Sequence, residues 1–220
     1  MKTILQTCRG FDIQAWMNFY DSWAETYEQD VEVLSYRAPQ LAVDFLDANF
    51  CGIREEVQVL DVACGSGLVA KLMSELGFKH FVGVDGSKGM LDQAEKNGLY
   101  RDLKLALLGP EPLPAQRGAF DVVILVGALD VDYAPVSVVR ELCSASKPGG
   151  FICMSRKNHV GKKSEEYKQD LERELQLMEE EGLWSPVGIK QEERYMMDVT
   201  AHSEEKYVGG NVYLYKKSAE

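Results

Sequence analysis

Residues 57–76 read VQVLDVACGSGLVAKLMSEL, and no other stretch narrows the choice of fold so far. A short apolar run, VQVLDVA, meets a turn holding Gly65 and Gly67, and LVAKLMSEL continues at helical spacing until Gly77 can stop it. A chain that passes from a buried strand into a helix through so tight a turn must lay that helix against a sheet. The unit then repeats. FVGVD reads as a second strand, Ser87 is placed to cap the helix KGMLDQAEKN, Asn97-Gly98 ends it, and LKLALL supplies a third strand.

The unbroken apolar core of FDVVILVGAL predicts a fourth strand covered on both faces, followed by a helix over VSVVRELCSA, a turn at KPGG and a fifth strand at FICMSR. Upstream, QLAVDFLDANF follows Pro39 with its apolar residues on one helical face. Downstream, Tyr167, Leu171, Leu175 and Met178 form one stripe of a helix whose other face is charged and faces solvent. Residues 192–199 and 206–216 read as two strands, with NVYLYKK giving an antiparallel edge. The expected architecture is α/β: a doubly wound, mostly parallel seven-stranded sheet with helices on both faces and an antiparallel C-terminal edge strand. One domain is expected over 1–220, with a helical segment at 1–50, a core at 57–156 and a C-terminal helix and strand pair at 157–220.

Composition removes several classes of function. A net charge of −11 and the lack of any Lys/Arg-rich run argue against a nucleic-acid partner. The five cysteines, Cys8, Cys51, Cys64, Cys143 and Cys153, contain no C-x-x-C pair and read as reduced thiols of a cytoplasmic protein, with a nuclear location left open. The opening MKTILQTCRG is too short and polar for a secretory signal, and no apolar run reaches the about 18 residues of a membrane span, so no membrane partner is expected.

Gly65-Ser66-Gly67-Leu68-Val69-Ala70 matches the G-x-G-x-x-G/A pattern of dinucleotide sites, with Asp85 downstream where a carboxylate binds ribose hydroxyls. Asp61 points elsewhere. A pyrophosphate at a helix N-terminus would be repelled by a neighbouring carboxylate, whereas S-adenosylmethionine has no phosphate and brings an ammonium and a sulfonium. The turn therefore favours S-adenosylmethionine over NAD.

VLDVACGSG, VDGS, FDVVILVGAL and KPGG together resemble the class I S-adenosylmethionine-dependent methyltransferase family over about residues 19–155. The resemblance implies that Asp61 lies near the methionyl amino group, that Gly65 and Gly67 let the backbone approach the cofactor, and that Asp85 holds the ribose, with Gly86, Ser87 and Met90 completing the adenosine end. It maps the adenine contacts to Leu108 and Gly109 and passes Val126 and Gly127 beneath the methionyl part. Two departures stand out. Ala63 occupies the position of the family's first turn glycine, and an alanine there is expected to keep ordinary backbone angles. Gly109 and Pro110 replace the acidic residue often found after the third strand, and proline offers no N–H to adenine.

The resemblance also implies an N-terminal lid. Phe19, Tyr20, Trp23 and Tyr27 recur at near-helical spacing and suit either that lid or ordinary helix packing, with Tyr27 the one expected to face the ligand. Arg37 is a candidate partner of the cofactor carboxylate. His159 after the fifth strand, and Asp130, Asp132 and Tyr133 after the fourth, lie at carboxyl ends where acceptors are oriented, although each also suits a solvated loop. Cys64 reads as a packing residue. The expected activity is methyl transfer from S-adenosylmethionine to an unidentified acceptor, a small molecule by preference and a protein as the alternative. An NAD-dependent oxidoreductase and a non-catalytic S-adenosylmethionine-binding protein are the competing readings.

Overall fold

The computed structural model describes residues 13–109, 111–131, 133–198 and 206–219. Its frame is a seven-stranded sheet of order β3-β2-β1-β4-β5-β7-β6, built from β1 (Gln58–Val62), β2 (His80–Asp85), β3 (Tyr100–Leu105), β4 (Phe120–Val126), β5 (Ser146–Lys157), β6 (Trp184–Met197) and β7 (Tyr207–Lys217). The strands β1 to β5 run parallel, and β7 pairs antiparallel with both β5 and β6.

Alternation along the strands explains why helices cover both faces. Leu60, Val62, Val123, Leu125, Ile152 and Met154 point to one side, where α6 (Val138–Ala145) and α7 (Lys162–Glu180) bury Leu142, Leu171 and Met178 against them. Val59, Val122, Ile124, Cys153 and Leu214 point to the other, under α3 (Ala38–Asn49) and α4 (Leu68–Glu75), which contribute Leu41, Ala42, Val69 and Met73. The stripe Tyr167, Leu171, Leu175 and Met178 is buried, as its spacing predicts. The remaining helices are α1 (Ile13–Trp23), α2 (Tyr27–Val33) and α5 (Lys88–Lys96). Ser87 caps α5 by accepting from the Met90 N–H at 3.1 Å.

The ends of β3 and the starts of β5 and β6, together with the placing of β7, differ from the sequence reading. The third strand ends at Leu105 rather than Leu108: Ala106 donates its N–H to the Asp85 carbonyl at 2.9 Å, and Leu107 and Leu108 turn off the sheet into the cavity described below. KPGG lies inside β5, where the register shifts between Phe120 and Val122. A Cβ on Gly150 would meet the Asp121 carbonyl at 2.9 Å, so this bulge needs glycine. The antiparallel end is arranged as β5-β7-β6, so the C-terminal strand sits one place inside the edge and β6 takes the edge itself. There, Pro186 costs no ladder bond to a further strand. Among the described residues no helix is long and apolar enough to cross a membrane.

Candidate active site

The carboxyl ends of β1, β2, β4 and β5 open into one cavity of about 190 Å³, roofed by α1 and α2. Its floor is the turn after β1. Ala63, Gly65 and Gly67 all hold positive φ, at 54°, 55° and 91°. Ala63 thus takes the left-handed conformation of the glycine it replaces, which corrects the expectation of ordinary angles and leaves about 1 kcal/mol of strain in the turn. The turn is fixed from the side by Asp85, whose two carboxylate oxygens accept from Gly65 N–H at 2.8 Å and Ser87 N–H at 2.9 Å. Burial raises the Asp85 carboxyl, and these N–H groups oppose the rise. Asp85 still lines the cavity, so lone pairs remain for a ligand's hydroxyls.

Asp61 lies beneath the turn with 1 % of its surface exposed and accepts from the Tyr100 hydroxyl at 2.7 Å. Burial pushes its carboxyl up to about 7, the Tyr100 hydrogen bond opposes this, and the Asp85 charge adds to it. Its polar partner is a neutral phenol, and among the described residues no cation pairs with it to hold the carboxylate ionised. Cys64 beside it is buried, its thiol pushed well up by burial and by the Asp61 and Asp85 charges, which makes it packing and not a nucleophile.

The roof is held by named contacts. Asp21 accepts from the Ser87 hydroxyl at 2.6 Å and from the Gly89 N–H at 2.8 Å, tying α1 to the first turn of α5. Lys71 pairs with Glu28 of α2 at 2.7 Å. Glycine at 86 admits α1, because a Cβ there would lie 2.5 Å from Met17 Sδ. Met17, Tyr20, Trp23 and Tyr27 line the cavity, and burial raises the Tyr27 hydroxyl. Phe19 is outside the lining and packs edge-on against Trp16. The aromatic stripe is therefore both roof and packing, and residues 1–12 of the expected helical segment lie outside the described residues.

Of the sequence-selected residues, Tyr27, Ala63, Gly65, Asp85, Gly86, Met90, Leu108 and Val126 line the cavity together with Gly127. Asp61, Gly67 and Ser87 support it from behind: Gly67 starts α4, and Ser87 joins the α5 cap to Asp21. Gly109 faces open space and is outside the lining, while Pro110 and Asp132 lie outside the described residues. Arg37 is also displaced from the ligand role expected of it. Its guanidinium turns to Glu192 at 3.4 Å and to the Arg194 carbonyl at 3.2 Å, outside the lining, because α3 begins at this residue and directs it toward β6.

The end of the cavity beyond β4 is built from side chains. Gly127, with φ 78°, donates to Ser155 Oγ at 3.1 Å, and Ser155 Oγ shares a 2.8 Å hydrogen bond with the Tyr195 hydroxyl. A Cβ at 127 would strike the Tyr36 hydroxyl. Tyr133, Lys157 and His159 complete this end. His159 Nε2 pairs with Asp130 at 2.8 Å. Burial alone would raise the Asp130 carboxyl, but His159 and the Val131 N–H hold it below its ordinary value. Tyr36, Lys157, Tyr195 and Met196 line the cavity without any signal in the sequence; only their position at strand ends and beside α3, known once the sheet order is known, could have found them.

Residues 53–201 match the family model described as a methyltransferase domain. The chain is similar to human methyltransferase-like protein 27, at 45% identity over 173 residues, covering 79% of this chain and 69% of the relative. It is also similar to the ubiquinone biosynthesis O-methyltransferase of Albidiferax ferrireducens, at 37% identity over 109 residues, covering 48% of this chain and 43% of that protein, so the match spans less than half of the latter's length. Two solved structures share the fold. One is the complex of the Haloferax volcanii Trm112 methyltransferase activator with a putative methyltransferase (TM-score 0.64, 17% identity, 90% and 97% of the two chains). The other is geranyl diphosphate C-methyltransferase from Streptomyces coelicolor with Mg2+, geranyl diphosphate and S-adenosyl-L-homocysteine (TM-score 0.59, 15% identity, 87% and 84%).

Proposed function

The chain belongs to the methyltransferase domain family and is an S-adenosylmethionine-dependent methyltransferase, and from that premise we propose that its acceptor is a small molecule taken up beneath the α1–α2 roof. The observation that carries this reading is the roof itself: Tyr20, Trp23 and Tyr27 lie over the turn and bound a half-open cavity of about 190 Å³, a size that suits a small molecule better than a folded protein surface. The buried cysteines Cys64, Cys143 and Cys153, all free, support a reducing cytoplasmic setting for it.

The residues fit the cofactor. Asp61 is a buried carboxyl short of a cation, Asp85 offers acceptors to hydroxyls, and Gly127 keeps the β4 end free of a side chain. Bound there, S-adenosylmethionine supplies a methyl carbon already activated by its sulfonium. The protein's own work is placement and exclusion of water. Asp85 and the Gly65 turn orient the donor end, the roof covers the cavity, and Tyr133 with His159 orients the acceptor. Asp130 holds the His159 ring through Nε2, which leaves Nδ1 for proton exchange when the acceptor carries a proton.

Calorimetry and thermal melting with S-adenosylhomocysteine are expected to give a measurable heat and a raised Tm. Absence of both at saturating ligand overturns the cofactor site. Transfer of a labelled methyl group to fractionated cell extract is expected to label low-mass material, and label confined to protein overturns the small-molecule reading.

A further inference from the structure

Lys157 is the last residue of β5 and lines the cavity one strand beyond Gly127, on the side away from Asp85. It is half-buried, and among the described residues no carboxylate or carbonyl lies within hydrogen-bonding reach of its ammonium. Of the two nearby acids, Asp130 is engaged by His159 at 2.8 Å and by the Val131 N–H at 2.8 Å, and Asp198, just past β6, acts on Lys157 through its charge and not through a hydrogen bond. An ammonium withdrawn from water without a counter-ion is costly, and an anionic ligand is what would offset that cost. Burial does lower the Lys157 amine, with the Asp130 and Asp198 charges pulling the other way, as expected for a cation that lacks a close partner.

Resting on the methyltransferase reading, we infer that Lys157 is the anchor for an anionic oxygen of the acceptor, so that the enzyme methylates small carboxylic acids or phenols and discriminates against amines. The surroundings agree with an acid carried on an apolar or aromatic body: Tyr20, Trp23, Tyr133 and Met196 supply flat and apolar surface around the single cation. A cationic amine would meet two like charges, the Lys157 ammonium and the donor's sulfonium. A carboxylate or phenolate would meet two opposite ones. His159, held by Asp130, takes the proton of a phenol, and a carboxylic acid arrives already ionised. The acceptor oxygen's electron pair then forms the bond to carbon as the carbon–sulfur pair stays on sulfur. Negative and positive charge cancel, the methyl ether or ester is neutral, and its hold on Lys157 is lost.

The test is binding to the protein saturated with S-adenosylhomocysteine, read by calorimetry with four one-ring probes: phenylacetate, 4-ethylphenol, phenylacetamide and phenethylamine. Phenylacetate or 4-ethylphenol is expected to bind at least tenfold more tightly than the amide and the amine, and which of the two prevails separates carboxylate from phenolate. Lys157→Met is expected to abolish that preference and Lys157→Arg to retain it, with S-adenosylhomocysteine affinity unchanged within twofold in both. Equal or tighter binding of phenethylamine, no binding of either acid, or an unchanged preference in Lys157→Met overturns the inference. A selective loss of S-adenosylhomocysteine affinity in Lys157→Met also overturns it, by assigning the lysine to the cofactor carboxylate. Failure of the wild type to bind S-adenosylhomocysteine is a different result and removes the cofactor reading instead.

Discussion

The two ends of the cavity are made of different material. Toward β1 and β2 the wall is backbone, a turn with three residues at positive φ pinned through Gly65 N–H to Asp85. Toward β5 and β6 it is side chain, supplied by Tyr133, Lys157, His159 and Tyr195 from separate segments. A backbone wall can be reshaped only by rebuilding the β1–α4 connection, whereas a side-chain wall changes with one substitution. The first suits a donor that never varies, and the second suits an acceptor that must be chosen.

The largest effect that separates the ends belongs to Asp85. Asp85→Ala removes the acceptor for ribose hydroxyls and strands the Gly65 and Ser87 N–H groups, so S-adenosylhomocysteine affinity is expected to fall by about 2 to 4 kcal/mol. Calorimetry reads this directly, and wild-type affinity in the mutant would break the assignment of that wall to the donor. Gly127→Ala tests the seam between the ends. A methyl group there meets Tyr36 and must adopt φ 78°, for an expected loss of about 2 to 3 kcal/mol in stability by denaturant unfolding. An unchanged midpoint would mean that the seam yields freely.

A smaller effect comes from Asp61. Because burial pushes its carboxyl up to about 7 in the folded chain, above the ordinary carboxylate range, the folded state holds that proton more tightly. Its contribution to stability is complete below the ordinary carboxylate range and is lost as pH rises through about 7. Cofactor binding has the opposite slope, since the ionised carboxylate is the form that attracts an ammonium. Affinity for S-adenosylhomocysteine is expected to rise roughly tenfold between about pH 6 and 8, and Asp61→Asn to flatten that rise. Equal slopes in both proteins would remove Asp61 from the donor end. The smallest effect marks where the site stops: Arg37→Ala, which loses the exposed contacts with Glu192 and the Arg194 carbonyl, should change S-adenosylhomocysteine affinity by less than about twofold. A larger loss would return Arg37 to the ligand.

The backbone wall was legible in the sequence because it is local. VLDVACGSG and VDGS each place strand, turn and helix cap within a few residues, so spacing alone reports them. The side-chain wall was opaque for the complementary reason. Lys157 and Tyr195 meet only after β7 inserts between β5 and β6, and nothing near either residue encodes that insertion. Leu107 and Leu108 looked like strand because their apolar character serves a cavity as well as a sheet. Pro186 hid the start of β6, since a proline is harmless only if the strand is an edge, which is a property of the whole sheet. Ala63 shows the limit even where the motif is clear: its identity predicted an ordinary angle, and the turn imposed the other one.

Asp21 does two things with one carboxylate, closing the roof and satisfying donors at the first turn of α5. Any motion that lifts the roof would therefore leave a helix terminus without its counter-charge and call on water to replace it. Exchange of a bound cofactor through such an opening is expected to quicken with dissolved salt, which screens that contact, even where the strength of the bound state is little altered.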